Sequence, residues 1–167
     1  DIQRQVMGLS RERAFCLPII QHHLAEAFKG PHDPVFLLNE EWNFDFAAEI
    51  AIVTADVPRN VAVSEAGQYV RVVMLANDIS LQGVLLDKVV NNYQLQCKRT
   101  GTFSPVAITP DELGQAWDGH KVCLPLLSYL NGNLFGYPNA GQDMLFDFSS
   151  LIAHAAKQHT LRAGTII

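Results

Sequence analysis

From Phe46 to Val57 the chain reads FAAEIAIVTADV, a run of β-branched and small apolar residues with a period near two that Pro58 closes. Successive side chains along a strand point to opposite sides, so such a run forms a strand with at least one buried face, and a buried strand needs a sheet around it. A second apolar run, Tyr69 to Leu75 (YVRVVML), follows a helix-start signal at Ser64-Glu65-Ala66 and leads into Ala76-Asn77-Asp78. These two runs commit the chain to a sheet-centred fold.

The remaining pattern supplies short elements around that sheet. Ser10 to Lys29 is helix-like, with Leu17, Ile20, Leu24 and Phe28 at three- and four-residue spacings and a Gly30-Pro31 stop. Leu81 to Asn91 is expected as a helix and Gln94 to Thr102 as a strand. Thr109-Pro-Asp-Glu112 is a capping box with proline at the first helical position, which predicts a short helix through Trp117. Val122 to Leu130 is expected as a strand turning at Asn131-Gly132 into Asn133 to Tyr137. Ser149 is expected to cap a helix from Ser150 to His159, with Leu151, Ile152, Ala155 and Ala156 inward. Hairpins, single strands and short helices without regular βαβ alternation predict an α+β domain dominated by mixed sheet.

The 167 residues suit one domain, read as an N-terminal helical or irregular segment at 1–32 and a main domain at 33–167. Its last residues, Leu161 to Ile167 (LRAGTII), read as a turn feeding a strand just begun, so sequence is expected to continue past Ile167. A formal charge of −5 argues against nucleic acid, whose binders need a basic face to displace counterions. No apolar run approaches the roughly 18 to 20 residues that span a bilayer, so no membrane partner is expected. Cys16, Cys97 and Cys123 are far apart and odd in number, which predicts buried thiols in a reducing compartment and a cytoplasmic location.

Acidic residues in or beside the apolar strands are where chemistry would show. A buried carboxylate is costly to ionise, so it points to a cation, a hydrogen-bond network or a function. Glu49 lies inside FAAEIAIV, Asp78 ends YVRVVMLAND, and Lys98 stands in QLQCKRTGTFSP. On pattern alone a solvated strand-end charge or a plain salt bridge is the more frequent account of each of them. His32, His120, His154 and His159 have no ligand-like partners in sequence and read as packing or surface. Trp42 and Trp117 read as core anchors.

The ordered series DFAAEIAIVTADVP, VMLANDIS, CKRTGTFSPVAITPDELG and LNGNLFGYPNAGQDMLFDFSSLIAHAAKQHTLRAGTII resembles the catalytic domain of the fumarylacetoacetate hydrolase family, over about Asp33 to Ile167. The resemblance implies a mixed β-roll that forms a homodimer and binds Mg²⁺, Mn²⁺ or Ca²⁺ through carboxylates. It further implies hydrolysis, decarboxylation or isomerisation of a small 1,3-dicarbonyl or 2-oxo acid. A hard cation prefers oxygen ligands and stabilises the enolate left when a neighbouring bond breaks.

Carried over position by position, the family's Phe-Glu-x-Glu motif becomes Phe46-Ala47-Ala48-Glu49, so Glu49 matches the second metal ligand and Ala47 stands in place of the first. Asp78 matches the aspartate ligand, Lys98 the lysine that polarises the substrate, and Thr102 the substrate-binding threonine. Gln82 replaces an arginine that would pair with a substrate carboxylate. Asp45, two residues before Ala47, shares its strand face. The upstream ligand and histidine of many family members have no secure match in Gln21 to Glu26, where His22, His23 and Glu26 read as helix surface. Two readings therefore follow: a metal-dependent enzyme of oxo-acid chemistry with a weakened cation site, or a catalytically impaired relative that keeps the fold and dimer surface.

Overall fold

The computed structural model describes residues 17, 18, 20, 28–81, 83 and 98–167. Six strands carry it: β1 (Phe28–Lys29), β2 (Phe44–Thr54), β3 (Val70–Leu81), β4 (Lys98–Ile108), β5 (Ser128–Leu130) and β6 (Asn133–Gly136). The first four form a sheet in the order β1-β4-β3-β2, and β5-β6 is a separate two-stranded sheet. Among the described residues, the short α-helices α1 (Val63–Ala66) and α2 (Phe148–Ala155) and three 3-10 turns accompany the strands in an α+β fold with parallel and antiparallel pairings. The chain divides into two compact units, Asp1–Ala47 with Asn77–Pro105, and Ala48–Ala76 with Val106–Ile167.

In the first unit β1 runs parallel to β4, with Phe28 opposite Gly101 and Lys29 opposite Thr102. The Phe28 ring meets Phe103 edge-on at 5.0 Å between centroids, an arrangement that the ring quadrupole favours. Phe28 and Lys29 were expected to end a helix; they are strand instead, because β4 offers their backbone a partner. A 3-10 turn at Glu40–Trp42 is capped by Asn39, whose side-chain oxygen accepts from Glu41 N at 3.0 Å. Trp42 sits in that turn half-buried rather than in the core. Leu81 belongs to β3; of the helix expected from Leu81 to Asn91, residues 82 and 84–91 lie outside the described residues, as do residues 10–16, 19 and 21–27 of the expected N-terminal helix.

The second unit holds the main core. Ile52 of β2, Val70 and Val73 of β3, Ala66 of α1, Phe148 and Ile152 of α2, and Val57, Val61, Val122, Ala156 and Leu161 close around one another. The apolar period of two that marked both long runs supplies the strand contribution. Trp117 packs on this cluster as expected and stacks on Phe148 at 6.2 Å. Residues after the last helix lie beside β2: Ile52 N donates to Ile167 O at 2.8 Å and Ile167 N returns to Ile52 O at 3.0 Å. The turn before them is built on Gly164, at φ 92°, where a side chain would be strained.

Three local expectations change. Thr109 makes no side-chain cap, and Pro110–Ala116 is a 3-10 segment interrupted at Gly114 (φ 53°, ψ −126°), a conformation no helix continues through. The strand expected from Val122 shrinks to Ser128–Leu130, since Pro125 has no N–H to extend a ladder and makes only an isolated bridge to Asn139. Helix α2 begins earlier than expected: Asp147, not Ser149, is its N-cap, with its carboxylate accepting from Ser150 N at 2.8 Å. It also ends earlier, and the Ala156 carbonyl there accepts from Asn60 N at 2.8 Å. The Asn131-Gly132 turn holds as read, both residues at positive φ (51° and 80°), as a tight hairpin requires.

Candidate functional site

Asp78 lies near the end of β3, followed by buried Ile79 and Leu81, and is itself only 8% exposed. Side chains on both faces of this stretch are buried, so the carboxylate sits where an ionised group must be compensated. Next to it, Asn77 Oδ1 is buried without a hydrogen-bond partner among the described residues. Gly101 of β4 comes against this point: a Cβ there would stand 3.9 Å from Asn77 O and 3.8 Å from the Phe28 ring. A methyl at Gly101 would thus meet β3 and Phe28 in ordinary van der Waals contact.

Thr102 follows directly, half-buried and paired with Lys29 of β1, and Thr100 on the other side of Gly101 is fully buried. Lys98 is the first residue of β4. The first unit therefore gathers Asp78, Thr102 and the backbone of Lys98 onto neighbouring strands. Ala47, half-buried, ends this unit's share of β2. Asp45 is exposed, and its Oδ1 accepts from Phe46 N at 3.0 Å.

Glu49 belongs to the second unit and is exposed on β2. The expectation of a costly carboxylate inside an apolar strand holds for Asp78 and not for Glu49, which is exposed. Strand β2 is continuous through Phe44–Thr54, so Ala47 and Glu49 keep the alternation that puts both on one strand face. Among the described residues no group of three or more His, Cys, Asp or Glu side chains is arranged to hold a metal ion. Gln82, His22, His23 and Glu26 lie outside the described residues.

A second polar cluster, in the second unit, had no signal in sequence. His120 Nδ1 and Ser149 Oγ are 2.8 Å apart although 29 residues separate them, and Ser149 is fully buried. His120 O accepts from Phe148 N at 3.0 Å, so the histidine meets the start of α2 twice. Asp118 shapes the turn beneath it, one carboxylate oxygen accepting from His120 N (2.9 Å) and Lys121 N (2.8 Å). Slight burial pushes the Asp118 carboxyl up, but those two N–H donors and the nearby Lys121 charge outweigh it and hold the group below the ordinary carboxylate range. With Ser149 closed off from solvent, the cluster reads as a strut between the 118–121 turn and α2.

Comparison with known proteins places the chain as a whole. The chain is 30% identical over 152 residues to the mitochondrial oxaloacetate tautomerase fahd2 of Xenopus laevis, covering 89% of this chain and 46% of the relative. It spans about half the length of the curated relatives it matches. Its fold is that of the fumarylacetoacetate hydrolase of Exiguobacterium antarcticum (TM-score 0.71, 22% identity, 87% of this chain and 50% of that one). It is also that of the maleylpyruvate hydrolase of Sphingobium sp. SYK-6 (TM-score 0.66, 24% identity, 84% and 49%). The family model for the fumarylacetoacetate (FAA) hydrolase C-terminal region matches residues 6–167, reaching further toward the N-terminus than the motifs at 33–167. The chain belongs to the fumarylacetoacetate hydrolase family.

Proposed function

We propose that this chain is the substrate-handling domain of an enzyme that hydrolyses, decarboxylates or isomerises a small 1,3-dicarbonyl or 2-oxo acid, working as a homodimer in the cytoplasm. The observation that carries the reading is Asp78, a carboxylate kept 8% exposed on β3, one strand from Thr102, in a chain of this family. Reactions of this class leave negative charge on an enolate oxygen, and the protein's task is to meet that charge with fixed donors in a dry site. Thr102 would bind a substrate oxygen through its hydroxyl, and Lys98 would bring an ammonium toward the same oxygens. Enzymes of the family generally depend on a divalent metal. Here Asp78 and Glu49 are the proposed ligands for Mg²⁺, with Mn²⁺ or Ca²⁺ as substitutes, and the ion when bound would supply chelation and charge neutralisation. Ala47 removes one carboxylate from that set, which predicts weak binding.

A second reading rests on the same alanine: a catalytically impaired relative that keeps the fold. Because one relative is named an oxaloacetate tautomerase, oxaloacetate is the first probe, its keto–enol interconversion followed by ultraviolet absorbance with Mn²⁺ present. Catalysis by the natural chain that disappears in Asp78→Asn and falls in Thr102→Val supports the enzyme. No catalysis and no calorimetric Mn²⁺ binding, with binding appearing in Ala47→Glu, would establish the impaired relative instead.

A further inference from the structure

Lys29 stands beside the residue to which the function above assigns a substrate oxygen. In the parallel pairing of β1 with β4 it lies opposite Thr102, and strands so paired run about 4.8 Å apart with partners on one face of the sheet. The neighbouring pair fixes which face. Phe28 turns its ring to Phe103 and lies beside Gly101, so Lys29 and Thr102, one residue further along each strand, take the opposite face. Exposure rises across that face: Thr100 is 2% exposed, Thr102 is half-buried and Lys29 is exposed. Among the described residues no ion pair holds Lys29. Asp33, the next acid along the chain, turns its Oδ2 to Gly30 N at 2.8 Å. On the other side of β4, a Cβ at Gly101 would stand 3.9 Å from Asn77 O. Asp78, Thr102 and Lys29, all in the first unit, therefore lie side by side across three neighbouring strands rather than strung along them.

We infer that Lys29 is a substrate-binding residue whose ammonium pairs with the distal carboxylate of a short oxo dicarboxylate, the keto end of which is held at Thr102 and Asp78. The order across the sheet matches such a molecule, with the keto end toward β3 and β4 and the far carboxylate over β1. A lysine stem of four methylenes easily covers one strand spacing. A dianion brought toward the Asp78 carboxylate meets repulsion that a nearby cation offsets, and a charge-assisted bond at a half-buried position is stronger than one in open water. Lysine on an edge strand also serves simply to block further strand pairing, and β1 is such an edge. That role needs a charge and no ligand, so selectivity separates the two. The inference deepens the function proposed above and rests on it for the parts given to Thr102 and Asp78.

Titration calorimetry of this chain with Mn²⁺ present tests it, using two unreactive 2-hydroxy acids as probes: malate, and 2-hydroxybutyrate, in which a methyl replaces the distal carboxylate of malate. Malate is expected to bind at least about 10-fold more tightly, the scale of one charge-assisted hydrogen bond. Lys29→Gln should bring malate down to the level of 2-hydroxybutyrate, and Lys29→Arg should keep most of the preference. Both substitutions are at an exposed position and should leave the melting temperature within about 2 °C. With oxaloacetate as substrate, Lys29→Gln should raise KM by about 10-fold and change kcat little. A malate preference or an oxaloacetate KM indifferent to Lys29→Gln overturns the inference and leaves Lys29 an edge-strand charge, while turnover of oxaloacetate keeps the function standing. Failure of both acids to bind overturns it too, and takes the function with it if oxaloacetate is also left unchanged.

Discussion

Replacing Gly67 by alanine tests how tightly the second unit is closed around α2. Gly67 follows α1 with helical backbone angles (φ −60°, ψ −29°), so alanine costs nothing in backbone strain there. By reducing the freedom of the unfolded chain it should stabilise by about 0.4 to 1 kcal/mol. The new methyl, however, would lie 2.8 Å from Gly119 O and 2.8 Å from Ser149 Oγ, closer than carbon tolerates. Neither neighbour gives way freely. Gly119 is held at φ 94°, and Ser149 is fully buried and bonded to His120. Overpacking of this kind costs about 1 to 3 kcal/mol. The sum is a loss of about 1 to 2 kcal/mol, or a fall in melting temperature of about 2 to 8 °C for a chain of this size. Urea unfolding measures the first and thermal circular dichroism the second. Adding Ser149→Ala removes one of the two clashes, so the double variant should lose less than the sum of the single losses. A Gly67→Ala protein as stable as the original, with additive double-variant behaviour, would refute the contact geometry of this cluster.

Other perturbations follow from the same structure. Asp147→Ala removes the α2 N-cap and should cost about 1 kcal/mol in urea unfolding, whereas Ser150→Ala at the donor position should cost far less because only the Ser150 backbone N–H makes that bond. Ile152→Ala empties a completely buried position in the core of the second unit and should cost about 2 to 5 kcal/mol, with the larger value if the cavity fails to collapse. Asp118 is held below its usual 3.8, so its carboxylate favours the folded state above that pH, and the benefit fades as pH falls through the lowered value. Stability measured from about pH 5 to pH 3 should therefore decline less steeply in Asp118→Asn than in the original chain, by a small margin since the group is exposed. Gly83→Ala would drive a methyl into the backbone of Glu41 and Trp42, and should loosen the 3-10 turn at Glu40–Trp42, read as faster amide exchange at Trp42 and Asn43.

The long strands were legible because their information is local. A period of two over FAAEIAIVTADV and the apolar content of YVRVVML decide strand over helix wherever a partner exists, and the Asn131-Gly132 pair encodes its own turn through its tolerance of positive φ. The family was legible for a related reason: four ordered motifs together carry far more information than any one of them. Helix ends were less legible. Asp147 and Ser149 are both good caps by residue type, and what separated them was the buried bond that His120 makes with the Ser149 hydroxyl, which no neighbouring residue announces.

The same division runs through the candidate site. Sequence by itself determined which residue types stand at the motif positions, including the alanine at 47, and placed Asp78, Lys98 and Thr102 on strands. Tertiary structure decided their surroundings. Glu49 and Asp78 are the same kind of signal in sequence, an acid in or beside an apolar run, yet one is exposed and the other buried. Periodicity states which side of a strand a residue takes, while the desolvation of that side depends on what the rest of the chain lays over it.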